Sequence, residues 1–368
     1  MRVAFFLPSL AGGGAEKMVL NLIRGLQAYD CEIDLLVASS EGEWKSQVPN
    51  GINLIDLISN RVLFSIPKLM TYLRKSTPDI LCSAIDHANI IAIISAMLSR
   101  TDTKIVISIQ RMSNQMKKVN PNKRELIVNW LKPILYPEAD QIVCVSDGVC
   151  DEMETAYRIS KSKLRRIYNP ILTEELLSTL SNQSQKNPRQ GGSDIVAVGR
   201  LEKVKDFPTL ISAMPIVIKQ QSCKLTIYGE GPERKFLINM VNQLNLNEVI
   251  KFPGFVPNIF DVFQNADLCV VSSIAEGFGN VIVEAFACGL PVVSTDCPSG
   301  PREILQDGKY GTLVPVGDEQ AMAKAILSVL HQKTDRAELM KRAGDFTIEK
   351  KSAEYYALFQ QLLAVERK

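Results

Sequence analysis

Residues 267–289 read DLCVVSSIAEGFGNVIVEAFACG. From Leu268 to Val271 the side chains are apolar without a break, as in a strand buried on both faces. Good helix formers follow from Asn280 to Cys288, and Gly289 stands where a C-cap would. The stretch predicts strand, loop and helix in that order. Glu276 falls in the loop, at the carboxyl end of the strand, and Glu284 falls on the first turns of the helix. In an open α/β sheet that edge is where ligands bind. The backbone amides of Gly279, Asn280 and Val281 would point into the same crevice, where a helix amino end attracts phosphate. Two carboxylates beside a phosphate make sense if the ligand carries hydroxyls on either side of its phosphates, because a carboxylate accepts two O–H bonds from a vicinal diol. A nucleoside diphosphate sugar has that layout.

Glu276 and Glu284, with seven residues between them inside EGFGNVIVEAFACGLPVV, resemble the E-x7-E motif of the retaining glycosyltransferases of family 4. The resemblance continues through STDCPSGPREILQDGKYGTLVPVGD. It returns at VGRLEKVKDF, at LTIYGEGPE and at the amino-terminal LAGGGAE, and in order and spacing it covers most of the chain. It implies an α/β chain of the GT-B fold: two Rossmann-like βαβ domains with parallel sheets facing across a cleft, and a C-terminal helix crossing back to the N-terminal domain. On that reading residues 1–170 form the acceptor-side domain, 171–193 a linker, 194–345 the nucleotide-sugar-binding domain and 346–368 the returning helix.

The same resemblance assigns roles. Arg200 and Lys205 would clamp the pyrophosphate, Glu284 would hold the ribose, and Glu276 would hold the donor sugar and favour an oxocarbenium-like transition state. Phe278, Gly279, Asn280 and Val281 belong to the donor loop and helix start, and Phe255 and Val256 to the segment that meets the nucleobase. Gly13 and Gly14 would face the donor pyrophosphate or the acceptor.

Composition agrees with a folded chain of this size. At 368 residues the length suits two domains of roughly 170 residues each. With 46% hydrophobic and 22% charged residues the chain has the balance of a soluble globular protein. Residues 1–190 carry 23 Lys and Arg against 19 Asp and Glu, so the first half is the one to meet an anionic partner. Eight cysteines without a C-x-x-C, several inside apolar runs, read as buried thiols in a reducing, cytoplasmic compartment. Only His87 and His331 are histidines, which excludes a multi-His metal centre. No RNA or DNA motif accompanies the near-neutral charge of +2, and nucleic acid is not expected. The apolar start is read as a first strand rather than a signal peptide, since Gly12 to Gly14 lead at once into an amphipathic AEKMVLNLIRGL.

Along the first half, strands are predicted at 3–8, 33–38, 80–84, 105–109 and 141–145, with helices between them. The three glycines do not have G-x-G-x-x-G spacing, and the second strand ends in Ser39-Ser40 rather than in an acid, which disfavours a dinucleotide. His87 lies in a loop after one strand, with an acceptor role or a structural one. Gln110 and Arg111 lie after the next, where family 4 often has a histidine. Arg111 reads as a phosphate or acceptor contact, or as structural if a carboxylate faces it. Residues 117–136, KKVNPNKRELIVNWLKPILY, admit two readings. One is a peripheral contact with an anionic membrane through Lys117, Lys118, Lys123, Arg124 and Trp130; the other is a core-facing helix with a solvated basic face.

The expected activity is transfer of a sugar, with retention, from a nucleotide sugar (a UDP-sugar first) to a glycan or polyprenyl-diphosphate-linked acceptor of bacterial surface polysaccharide synthesis. No metal or other cofactor is needed, because Arg200, Lys205 and the helix amides can neutralise the leaving diphosphate. The rivals are a nucleotide-sugar epimerase and a non-catalytic nucleotide- or glycan-binding protein on the same fold.

Overall fold

The computed structural model describes residues 1–11, 13–59, 61–112, 123–182 and 192–364, with the side chains of 123–125 left out. The chain forms two compact units, Met1–Ile171 with Ile348–Lys368, and Leu172–Thr347.

The first unit is built on seven parallel strands: β1 Arg2–Leu7, β2 Glu32–Val37, β3 Asn53–Asp56, β4 Ile80–Ala84, β5 Lys104–Ile109, β6 Gln141–Cys144 and β7 Leu164–Arg166. Their order is β3-β2-β1-β4-β5-β6-β7. Helices α1 Gly14–Leu26, α2 Ile66–Ser76, α3 Asp86–Ser99, α4 Lys123–Leu135 and α5 Asp147–Tyr157 alternate with them. Strand β1 shows why the sheet is covered on both faces. Val3, Phe5 and Leu7 join Met18 and Leu22 of α1 in one apolar cluster, while Ala4 and Phe6, pointing the other way, are equally buried. The order reverses between β1 and β4; β2 and β4 flank β1 in parallel register, Arg2↔Glu32 on one side and Val3↔Ile80 on the other. At that switch point the amino end of α1 carries Gly13 and the first turn of α3 carries His87.

The second unit has six parallel strands: β8 Ser193–Val198, β9 Cys223–Tyr228, β10 Ile250–Gly254, β11 Leu268–Val271, β12 Val292–Thr295 and β13 Thr312–Val314, ordered β10-β9-β8-β11-β12-β13. Its helices are α6 Glu174–Asn182, α7 Phe207–Ile218, α8 Arg234–Gln243, α9 Ile259–Gln264, α10 Asn280–Ala287, α11 Pro301–Ile304, α12 Glu319–His331 and α13 Arg336–Ala343. Here the order reverses between β8 and β11, so the switch-point loops carry Arg200 and Glu276.

Three elements, α6 and the edge strands β3 and β7, differ from the expected pattern, while the C-terminal helix returns to the first unit as expected. Residues 174–182, read as linker, form α6, which packs on α10 and α13 through the one apolar side of EELLSTLSN. The edge strands β3 and β7, NLID and LRR, were not expected, being short and only half apolar. Helix α14, Ile348–Ala364, belongs to the first unit, where Tyr356 stacks on Tyr29 at 4.3 Å between ring centroids and Tyr355 and Phe359 enter the α1 cluster. The second unit is therefore one continuous segment, and its two ends are joined by a parallel bridge between Leu172 and Thr347.

Candidate active site

Strand β11 delivers Ser272 and Ser273 to the carboxyl edge of the second sheet, and both are buried. Ser273 Oγ donates to Glu276 Oε1 at 2.6 Å, and Lys205 Nζ reaches the same oxygen at 2.5 Å. Oε2 takes part in neither bond. Lys205 is set by its own backbone, since its carbonyl accepts from Ser272 Oγ at 2.7 Å. Ser273 is set in turn by Thr295 Oγ1, which donates to its carbonyl at 2.6 Å. Two strands and a 3₁₀ turn, Lys203–Lys205, thus fix one carboxylate with one oxygen turned from its partners. With side chains 23% and 11% exposed, the pair is neither buried nor freely solvated, and it remains within reach of a ligand.

Gly279 caps α10 with φ of 103°, a left-handed conformation open to glycine and costly for other residues. That turn aims the amino end of α10 at the loop, with Asn280 and Val281 opening the helix and Glu284 half-buried on it. Burial pushes up the thiols of Cys269 and Cys288, the latter to about 12 in spite of the lowering charge of Arg336, and the carboxylate of Glu284 adds to both shifts. Phe278 differs from its expected role: it is 3% exposed and meets Phe346 edge to face, 5.4 Å between centroids. An aromatic ring flanked by two glycines packs inward, so its side chain holds the loop down rather than facing a donor.

Arg200 does not join the Lys205–Glu276 pair. Its side chain is 76% exposed and pairs with Glu202 at 3.0 Å, and Lys203 beside it is exposed. Phe255 is exposed, and Val256 lines a cavity of about 660 Å³ beside α9, together with Tyr228, Asn258 and Asp261. That cavity includes none of Arg200, Lys205, Glu276 or Glu284.

In the first unit, Gly13 is the N-cap of α1 and Gly14 its first residue; Gly12 lies outside the described residues. A side chain at Gly13 would collide with the carboxylate of Glu16, its Oε2 only 2.2 Å from the added carbon. Glu16 is buried and in the first helical turn, where a carboxylate suits the dipole. The glycine therefore makes room first for Glu16, a residue the sequence reading passed over.

His87 stands exposed on the first turn of α3 rather than in a loop. Beside it a charged cluster has formed that periodicity does not reveal. Asp86, 6% exposed, accepts from Tyr136 Oη at 3.1 Å and pairs with Lys132 Nζ at 2.7 Å and Arg111 Nε at 3.4 Å. Of the two readings of Arg111, the carboxylate partner is the one found. Lys132, which lies in the amphipathic segment 117–136, is 1% exposed and points inward. Burial pushes the Asp86 carboxyl up, but Lys132 and Arg111 outweigh it and hold the group below the usual aspartate value. Ile85, the β-branched residue before Asp86, has φ of 85°, so the chain is strained where it turns this carboxylate inward. Lys117 and Lys118 lie outside the described residues, as do the side chains of Lys123 and Arg124. Among the described residues no group of three or more His, Cys, Asp or Glu could hold a metal ion.

Two family models match the chain: Glycosyltransferase Family 4 over residues 12–175, and Glycosyl transferases group 1 over residues 180–346. An N-acetylgalactosamine-N,N'-diacetylbacillosaminyl-diphospho-undecaprenol 4-alpha-N-acetylgalactosaminyltransferase of Campylobacter jejuni is 28% identical over 339 residues, 89% of this chain and 90% of that one. Among solved structures, the lipopolysaccharide outer core galactosyltransferase WaaB superposes with a TM-score of 0.76 at 19% identity, over 98% of this chain and 100% of that one. The Anabaena protein Alr3699/HepE in complex with UDP gives 0.74 at 19% identity, over 98% and 100% of the two chains. At those identities the structures speak for the fold alone.

Proposed function

The chain belongs to the group 1, family 4 glycosyltransferases with the GT-B fold, and on that premise we propose that it transfers a sugar, with retention, from a UDP-sugar to a lipid-linked saccharide. The observation that carries the reading is the single carboxylate oxygen, Glu276 Oε1, held from two sides by Lys205 and Ser273. A carboxylate fixed in this way presents Oε2 to hydroxyls of the donor sugar without losing its charge to solvent. Positive charge developing at the anomeric carbon then meets a preorganised anion. Glu284, on α10, takes the ribose diol.

The leaving diphosphate meets Arg200, Lys205 and the amino end of α10, with no metal required. Arg200, itself exposed, has the half-buried Glu202 to release before it swings to a phosphate, at a cost of about 1 kcal/mol, as for a pair at the surface. In a front-face reaction the departing phosphate oxygen takes the acceptor proton as the new glycosidic bond forms on the same side. Phe255 and Val256 flank the base, and Gly13, Gly14 and His87 serve the donor phosphates or the acceptor, while Arg111 stays with Asp86. The Campylobacter relative's name specifies a diphospho-undecaprenol acceptor, which supports a polyprenyl-diphosphate-linked acceptor here and a cytoplasmic enzyme at the inner membrane face. Lys117, Lys118, Lys123, Arg124 and Trp130 are the peripheral contact in that picture.

The test is calorimetric binding of UDP, GDP and ADP to the native chain, to Glu284→Ala and to Glu276→Ala. UDP is expected to bind native chain and Glu276→Ala alike and to lose roughly tenfold with Glu284→Ala, the loss of about one charged hydrogen bond. Binding of another nucleotide, or unchanged binding by Glu284→Ala, would overturn the donor assignment. Conversion of donor in the absence of any acceptor would point to an epimerase instead.

A further inference from the structure

Two ties hold the loop of Glu276 from outside its own strand, and both lead to one guanidinium. The first tie is backbone. Ser299 Oγ donates to the carbonyl of Gly277 at 2.9 Å. At Gly300 an added Cβ would lie 1.9 Å from the carbonyl oxygen of Phe278, so the two loops touch where no side chain fits. Ser299 holds φ of 76° to make this approach, a left-handed conformation that persists outside glycine where the surroundings enforce it. The second tie is the ring of Phe278, which meets the fully buried Phe346 edge to face. Phe346 ends the 3₁₀ turn Gly344–Phe346 that follows α13.

Arg342 stands on the last turn of α13 and is 8% exposed. Its guanidinium carbon lies 4.8 Å from the centre of the Phe346 ring, which secures the second tie. Nη2 donates to the carbonyl of Glu303 at 2.9 Å and Nε to that of Ile304 at 3.0 Å. These carbonyls end α11, the helix that Gly300 caps at its start, so the same side chain secures the first tie. Nη1 pairs with Asp345 at 2.8 Å, the neighbour of Phe346 in the chain. A buried guanidinium is a poor source of stability by itself, since desolvation offsets most of what its contacts return. What its contacts share is the loop that carries Glu276.

We propose that Arg342 and Phe346 are positioning residues for Glu276. Ser273 and Lys205 fix Oε1, whereas the backbone at Gly277 and Phe278 decides where Oε2 points. The role rests on the reading above that Oε2 meets the donor sugar, where a displacement of about 1 Å is worth roughly 10²-fold in rate. Lysine cannot replace Arg342, because a single ammonium does not span two carbonyls, a carboxylate and a ring face.

The experiment uses the full chain with Arg342→Lys, Phe346→Leu, Phe278→Leu and the double Phe278→Leu/Phe346→Leu. Amide exchange is followed by mass spectrometry in peptides covering 274–281 and 268–271. Steady-state UDP release is measured from UDP-glucose, UDP-galactose, UDP-N-acetylglucosamine and UDP-N-acetylgalactosamine, with water as acceptor, and calorimetry with UDP counts the folded molecules. Arg342→Lys and Phe346→Leu are expected to exchange at least tenfold faster at 274–281 and as before at 268–271. Their kcat is expected to fall tenfold or more, with donor KM and UDP Kd within twofold of native. The double variant is expected to lose no more kcat than the worse of its two single variants, since both act through one contact. Should Arg342→Lys not fold, Phe346→Leu carries the same comparison. Unchanged exchange at 274–281, or faster exchange there with unchanged kcat, overturns the proposal. So does exchange that rises evenly over the second unit with native kcat per UDP-binding molecule, which would leave both residues a role in stability alone. A native chain that releases UDP from none of the four sugars, while the variants loosen 274–281 as expected, removes the sugar-transfer reading and leaves Arg342 and Phe346 as the residues that place the loop.

Discussion

Glu276 shares one oxygen between Ser273 and Lys205, and the two partners have separable effects. Ser273→Ala removes a neutral hydrogen bond and leaves the charge pair, so turnover should fall about fivefold, the worth of ~1 kcal/mol, with nucleotide binding unchanged. Glu276→Gln keeps the shape and removes the charge, and turnover should fall by about 10²–10³-fold in steady-state assays of nucleotide release. Asp86 and Lys132 make a second residue-scale case. Lys132→Met strands a buried carboxylate and should cost about 3–5 kcal/mol in urea unfolding at pH 7, while Asp86→Asn with Lys132→Met should recover much of it. Because the folded Asp86 carboxyl titrates below its unfolded value of about 3.9, its contribution is complete above that pH and is lost as pH falls through it toward the folded value. Asp86→Asn should therefore be less stable at pH 7 and flatter between pH 5 and 3, a comparison two sets of unfolding curves decide. Glu276 and Lys205 could be found from motif spacing, since each sits at a fixed offset after an apolar strand. Asp86 could not, because nothing local marks an acid in a first helical turn as buried, and its partners come from 25 and 46 residues downstream.

At the level of elements, hydrophobic runs such as VAFFL and LCVV located the central strands, which are buried on both faces and so read as continuous apolar sequence. The edges β3 and β7 escaped because an edge strand is half solvated and its residues are mixed. Helix α6 escaped because LSNQSQKNPRQGGSD, a loop-like composition, overlaps its last turn and hid the apolar side that precedes it. The C-terminal helix was legible as a helix, whereas the partner it chose depends on one residue in α1. Gly25 faces Ser352 and Ile348, and an added methyl would come within 2.1 Å of Ser352 Oγ and 2.8 Å of Ile348 Cγ2. Gly25→Val should push α14 away from α1 and cost about 1–3 kcal/mol, seen as a lower midpoint in thermal unfolding and as faster amide exchange across residues 348–364. Unchanged exchange there would mean that the Tyr29–Tyr356 stack and the Tyr355 cluster hold α14 without close backbone approach.

The molecule as a whole comprises a first unit made of both chain ends and a second made of one uninterrupted segment. Asn169-Pro170 and the apolar run that follows at 195–198 mark the division near residue 170 in the sequence itself, whereas the return of the last helix to the first unit rested on resemblance. A fragment spanning 172–347, which retains its own sheet, its core and all of Arg200, Lys205, Glu276 and Glu284, should fold alone and bind UDP within about tenfold of the full chain by calorimetry. Failure to fold would show that the first unit supplies part of its stability. The bridge from Leu172 to Thr347 gives this segment a further property. Strands so paired lie ~4.8 Å apart, so the segment leaves its host through two neighbouring points, like a cassette in a slot. In a lineage of such chains, the second unit can be exchanged by recombination at two junctions without tearing the first.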